Sequence, residues 1–197
     1  MKRYTGFKKL RFTVAVILFA LACLPPHRAT AEEKATELKI TNLQASSGKT
    51  YVINEGGFVP GGLQFVDRDY QFNYVPQPLK GLTTIKTAGN DKSISEDQPC
   101  LSFRVNVPVT VYVLYGDKLR ILPAWLAEFS NTRWKATRQD TNPATLKGIF
   151  TLFAKDFPPG VVTLNGNLSK QMAQDEEFQR MKGSTFCMYS VVVAPKR

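Results

Sequence analysis

Aromatic side chains with polar neighbours are the first residues in this sequence whose types could bind a ligand. Trp134 stands between Arg133 and Lys135, while Tyr112 and Tyr115 lie in an apolar stretch. A sugar ring packs its C–H face against an exposed aromatic ring, and nearby donors hold its hydroxyl groups. The candidate ligand-binding residues are therefore Trp134, Arg133, Tyr112 and Tyr115, and the alternative is that these rings belong to a core.

The two tryptophans have contrasting neighbours. Trp125 follows Leu122-Pro123-Ala124 and precedes Leu126, so its surroundings predict packing inside the protein. Around Trp134 the neighbours are donors, and a surface position and a core position are equal alternatives there.

Carboxylates offer a second kind of chemistry. Asp67 and Asp69 are two residues apart, which lets both face one side of a strand. Glycosidases hold two carboxyl groups about 5–9 Å apart across the sugar, whereas Arg68 between these two favours structural pairing. Asn90 and Asp91 could bind calcium, although hydrogen bonding within a turn is the simpler interpretation. No cofactor is predicted.

The first 31 residues have the pattern of a secretory signal peptide. Basic residues precede an apolar run over 12–24, and Ala29-Thr30-Ala31 supplies the small residues of a cleavage site after Ala31. The apolar run is too short for a membrane span. We therefore expect a secreted protein, periplasmic or extracellular, with no membrane span in the mature chain.

Cleavage would change the charge and the available chemistry. Without the six Lys and Arg of residues 1–31, 20 basic side chains remain against 16 acidic ones, a net charge of +4 instead of +10. No basic stripe remains, so no nucleic-acid partner is predicted. The same cut removes His27, the single histidine, which excludes histidine bases and histidine-ligated zinc. The sequence therefore predicts a protein that is not an enzyme.

Two cysteines remain in the mature chain, Cys100 and Cys187. In an oxidising compartment an even pair predicts a disulfide. A bridge closing so long a loop would contribute about 4–5 kcal/mol in the chain-entropy model.

The stretch Leu101–Leu126 indicates the fold. Apolar residues alternate with polar ones before and after Pro108, which predicts two strands with one buried face. Many further short strands separated by turns predict an all-β domain over residues 32–197, a single antiparallel β-sandwich of jelly-roll type. The one helical candidate is 169–182, capped by Ser169, with a partly ordered loop as the alternative.

Several motifs recur in the same order in a known type of module: Ser47-Gly48-Lys49-Thr50-Tyr51, Val66-Asp67-Arg68-Asp69-Tyr70-Gln71-Phe72, Leu122-Pro123-Ala124-Trp125-Leu126, Lys155-Asp156-Phe157-Pro158-Pro159-Gly160 and Met188-Tyr189-Ser190-Val191-Val192-Val193. From about Ile40 to Val193 the chain resembles the accessory β-sandwich domains of secreted bacterial polysaccharide lyases, agarases and related extracellular proteins. The resemblance implies a non-catalytic extracellular module that binds glycan or assists the folding of a neighbour. It supplies no binding residues.

Three functions follow as hypotheses. The first is a carbohydrate-associated module with a polysaccharide partner. The second is a structural or protein-interaction domain whose partner is another protein of the cell envelope. The third and weakest is a small polysaccharide lyase or hydrolase, because no catalytic motif is present.

Overall fold

The computed structural model describes residues 37–139, 147–176, 179 and 186–196. The predicted signal peptide, its cleavage site at Ala31 and part of the predicted 169–182 helix lie outside these residues. The strands are β1 (Ile40–Ala45), β2 (Val52–Asn54), β3 (Gln71–Tyr74), β4 (Thr83–Lys86), β5 (Pro99–Val105), β6 (Val109–Gly116), β7 (Ser130–Gln139), β8 (Lys147–Phe157), β9 (Gly160–Asn165) and β10 (Ser190–Pro195).

These strands form two sheets, and every pair of neighbouring strands within them is antiparallel. The smaller sheet has the order β1-β5-β9, and the larger has the order β2-β4-β10-β6-β8-β7-β3. The predicted all-β sandwich is thereby confirmed.

The main hydrophobic core takes its side chains from both sheets. Phe103 and Val105 of β5 join Val111 and Val113 of β6 in one buried cluster, and each is at most 2% exposed. Burial of such side chains contributes about 1.5–3 kcal/mol each. Arg104 is exposed, as the alternation predicts, and the strand break falls at Pro108.

A second apolar cluster covers part of the outer face of the larger sheet. Leu114 and Leu152 belong to it from the sheet, and Phe58 and Leu79 belong to it from the segment between β2 and β4. Tyr112, two residues from Leu114 on the same face of β6, packs at the border of this cluster. Because Tyr112 lies at the border of this cluster, its ring is only partly covered.

In the part of the chain that the structure describes, helical structure is limited to short segments. Three 3₁₀ turns span Gln77–Leu79, Gly89–Ser93 and Ala124–Glu128, and α1 spans Lys170–Gln174. Ser169 caps α1 as predicted, because its hydroxyl accepts a hydrogen bond from the Met172 N–H at 3.1 Å. Within the described ranges, no helix is long and apolar enough to cross a membrane.

Candidate functional site

Trp134 lies in a bulge of β7. Asn131 pairs with Phe153 of β8, and pairing resumes only where Lys135 meets Thr151. Three residues of β7 therefore stand opposite the single residue Leu152. Extra residues in one strand interrupt the hydrogen bonding between the strands locally and change the direction of the side chains in the bulge.

Short polar side chains hold the bulge in shape. The Asn131 carboxamide oxygen accepts the Arg133 N–H at 2.8 Å, and the Thr132 hydroxyl oxygen accepts the Trp134 N–H at 3.1 Å. The same hydroxyl donates to the Leu152 carbonyl at 2.8 Å. Sequence reasoning missed this support, although Asn and Thr are the residues that accept hydrogen bonds from backbone two residues ahead.

The bulge places the Trp134 ring against Tyr112. The two ring centroids are 6.2 Å apart and the planes meet at 26°, a stacked arrangement worth about 0.5–1.5 kcal/mol. Trp134 remains 37% exposed, while Tyr112 is half-buried. Because Tyr112 covers one face of the indole, a ligand could contact only the part of the ring that remains exposed.

Polar groups adjoin the stack on the same face of β6. Thr110, two residues before Tyr112, donates its hydroxyl to Asp156 at 2.7 Å, and Asp156 also pairs with Lys196. Burial raises the pKa of Tyr112, and the negative charge of Asp156 raises it further. The Tyr112 hydroxyl therefore keeps its proton and can act as a donor.

Tyr115 is a correction to the predicted set. Its ring belongs to the main core, where it is 1% exposed. Its hydroxyl lies 3.2 Å from the carbonyl oxygens of Ile121 and Asn167, which share its single hydrogen as acceptors, and burial raises its pKa. Tyr115 is an odd number of positions from Tyr112 on one strand, so the two rings face opposite sides. Tyr115 cannot present a ring face to a ligand.

The structure does not show the predicted disulfide. Cys100 and Cys187 are free thiols with separate neighbours. The Cys100 sulfur lies 3.7 Å from the Tyr51 hydroxyl, whereas the Cys187 sulfur accepts hydrogen bonds from Arg138 at 3.1 Å and Arg68 at 3.5 Å. An even number of cysteines in a sequence does not show whether the fold brings the two thiols together.

Two of the candidate acids serve the fold. The Asp67 carboxylate accepts the backbone N–H groups of Gly89 and Asn90 at 2.8 and 3.0 Å and pairs with Arg68. Burial alone would raise its pKa, but these hydrogen bonds prevail and lower it. This is the structural pairing that the sequence favoured.

Asp91 has no free oxygen to offer calcium. Its carboxylate accepts hydrogen bonds from the hydroxyls of Ser47 and Tyr51, both at 2.7 Å, and from the Lys49 ammonium. Burial alone would raise the pKa of Asp91, but the hydrogen bonds from these three donors outweigh that effect, so the pKa lies below its ordinary value. Among the residues that the structure describes, no group of three or more acidic, Cys or His side chains could hold a metal ion.

Trp125 packs as its apolar neighbours predict. Its ring meets Phe129 and Tyr189 edge to face, with centroids 5.6 Å away in both cases. The indole N–H donates to the Gly166 carbonyl at 2.9 Å. Trp125 therefore joins the Ala124–Glu128 turn to the core, and Trp134 is the tryptophan left for ligand contact.

Comparison with known proteins gives structural likeness alone. No family model matches the chain, and no curated protein matches it in sequence. A β-glucuronidase of glycoside hydrolase family 2 resembles it with a TM-score of 0.61 and 16% identity, over 79% of this chain and 14% of that one. A GH138 enzyme targeting pectin rhamnogalacturonan II gives a TM-score of 0.45 and 16% identity, over 81% of this chain and 17% of that one. This chain thus spans about one seventh of the β-glucuronidase, with which it shares a fold.

Proposed function

We propose that this chain is a secreted, non-catalytic, carbohydrate-associated module that holds a sugar ring against the exposed part of the Trp134 ring. One observation carries the proposal: a bulge in β7 holds an exposed indole on a supporting tyrosine, with donors beside it. Such a rigid, half-supported ring loses little conformational freedom when it binds a flat apolar surface. The occurrence of this fold within a glycoside hydrolase is in keeping with the proposal.

A binding role without catalysis is supported by the state of the acidic side chains. Asp67 and Asp91 accept hydrogen bonds from their own chain. Glu96 likewise accepts the N–H groups of Ala124 and Lys170. A glycosidase needs two carboxyl groups free to face the substrate. Residues 32–197 also lack histidine.

The experiment is affinity electrophoresis of the purified chain in native gels that contain soluble polysaccharides. At least one polysaccharide should retard the wild-type protein, and Trp134→Ala should remove the retardation. Trp134→Phe keeps a ring on Tyr112 and should keep part of it. Loss of the stack should cost about 1 kcal/mol of stability, so Trp134→Ala should remain folded in the gel.

Val161→Ala is the control, because Val161 is an exposed apolar residue on the other sheet. It should migrate like wild type. If Trp134→Ala is still retarded as strongly as wild type, the site is elsewhere. If no polysaccharide retards the wild type, the envelope interaction domain replaces this proposal. Release of reducing ends from a retarding polymer would contradict the non-catalytic role.

A further inference from the structure

We propose that the Trp134 surface selects acidic sugars, with Arg133 binding the carboxylate of a uronic acid whose ring lies on the indole. This inference rests on the proposed function and adds the class of ligand. It depends on the backbone conformation of Arg133, on the lack of an ion-pair partner for its guanidinium, and on the charges of the neighbouring side chains.

Arg133 occupies a backbone position that does not suit it. Its φ is 63°, in the left-handed region that is unfavourable for an L-residue and that glycine adopts freely. The neighbouring polar side chains hold this conformation through hydrogen bonds to the bulge. An arginine at such a position makes the fold locally less stable. Residues with strained backbone conformations are concentrated at functional sites.

The guanidinium of Arg133 also has no carboxylate partner. Its side chain is exposed, and it forms no ion pair with any residue in the described part of the chain. The fold therefore gives no electrostatic reason for a cation here. A ligand that supplies the carboxylate would give one.

Three acidic side chains of the neighbouring strands and turns are paired with lysines, which offsets part of their charge. The pairs are Asp117 with Lys135, Glu128 with Lys155, and Asp156 with Lys196. Arg133 is then the positive charge left beside Trp134. Screening at physiological salt acts over about 8 Å, so a guanidinium on the residue before Trp134 can attract the carboxylate of a ligand that lies on the ring.

The chemistry of a uronic acid fits this arrangement. Its carboxylate is attached to a ring carbon and projects from the edge of the pyranose, while the C–H face stays free to lie on an aromatic ring. A guanidinium can bind a carboxylate through two parallel hydrogen bonds. Trp134 would hold the ring of such a sugar, and the residue before it would hold the charge.

The test uses three acidic polymers, polygalacturonate, alginate and hyaluronan, each paired with its carboxyl-reduced form. At least one acidic polymer should bind wild type about tenfold more tightly than its reduced form does, because a hydrogen bond to a charged group raises the affinity by about a factor of ten or more. Added salt should shrink this preference. Arg133→Gln should remove the preference, so that the acidic polymer and its reduced form bind the variant with equal affinity, while Arg133→Lys should keep part of the preference.

Arg133→Gly separates binding from folding. It should lose the preference as Arg133→Gln does, yet unfold at a higher temperature, because glycine relieves the left-handed strain. Equal binding of acidic and reduced polymers by wild type would overturn the acidic-sugar inference and leave the proposed function intact. Retention of the preference in Arg133→Gln would overturn the role of Arg133. Failure of every polymer to bind would overturn the proposed function itself.

Discussion

The two thiols of the sandwich occupy unlike environments at the scale of single residues. Cys100 is 1% exposed, and burial raises its pKa to about 11. Cys187 is partly exposed and lines a small surface cavity with Phe186 and Arg138. Because the thiolate is the nucleophile that attacks thiol reagents, burial and a raised pKa both protect Cys100.

We therefore expect a maleimide to label Cys187 in the native protein and Cys100 only after unfolding. Peptide mass mapping of the labelled protein identifies which cysteine reacted, and Cys187→Ser provides the control with no native labelling. The unreduced protein should show both thiols free. An intact Cys100–Cys187 bridge in that sample would contradict the structure and restore the disulfide that the cysteine count predicts.

At the scale of elements, what the sequence could predict depends on how regular each strand is. β5 and β6 alternate around Pro108, so their existence and inner face follow from period-two spacing, although β5 spans Pro99–Val105 and Leu114 is buried on the outer face as well. β7 was not predicted, because residues 130–139 are mostly polar and the bulge interrupts their alternation. The surface position of Trp134 depends on that bulge, which explains why the sequence left it undecided.

Two further features could not be predicted because they depend on tertiary packing. The outer cluster needs Phe58 and Leu79 to fold over the larger sheet, and their own segment has no periodicity to indicate it. Tyr112 and Tyr115 are equally aromatic in sequence, and alternation along β6 puts Tyr115 on the face of Val111 and Val113 and Tyr112 on the other face, but how far each face is covered depends on packing. Residue type gave the candidates, and the packing of the two faces chose among them.

Val111 and Val161 offer a matched test of the sandwich at this scale. Val111 is 0% exposed in the main core, and Val161 is 59% exposed on β9. Val111→Ala should lower the free energy of unfolding by about 1–3 kcal/mol, through lost burial and a residual cavity. Val161→Ala should change it by less than about 0.5 kcal/mol. Urea denaturation measures both, and equal midpoints would contradict the assignment of the inner face.

At the scale of the whole molecule, two carboxylates join segments that are distant in sequence. Asp91 ties the 47–51 segment to the Gly89–Ser93 turn through its three donors. Asp67 ties the start of that same turn to Arg68. Acid should therefore weaken the fold at this junction first, before it affects the apolar core.

The sign of the pH dependence follows from the lowered pKa of Asp91. Its ordinary value is 3.8, and the folded protein holds the carboxylate ionised below that pH. The resulting stabilisation is fully present above about pH 5 and disappears as pH falls through 3.8 toward the folded-state pKa. Wild type should therefore lose stability over this range, as Asp91 takes up a proton and its hydrogen bonds weaken.

Asp91→Asn tests this directly by urea denaturation at pH 7, 5, 4 and 3. At pH 7 the variant should be less stable than wild type, because Asn cannot replace the ion pair with Lys49. The difference in the free energy of unfolding between wild type and variant should narrow as pH falls, because only wild type loses the stabilisation by an ionised Asp91. Asp69→Asn, at an exposed residue, should follow the wild-type curve. If the gap between wild type and Asp91→Asn stays constant from pH 7 to pH 3, the ionised Asp91 does not hold this junction together.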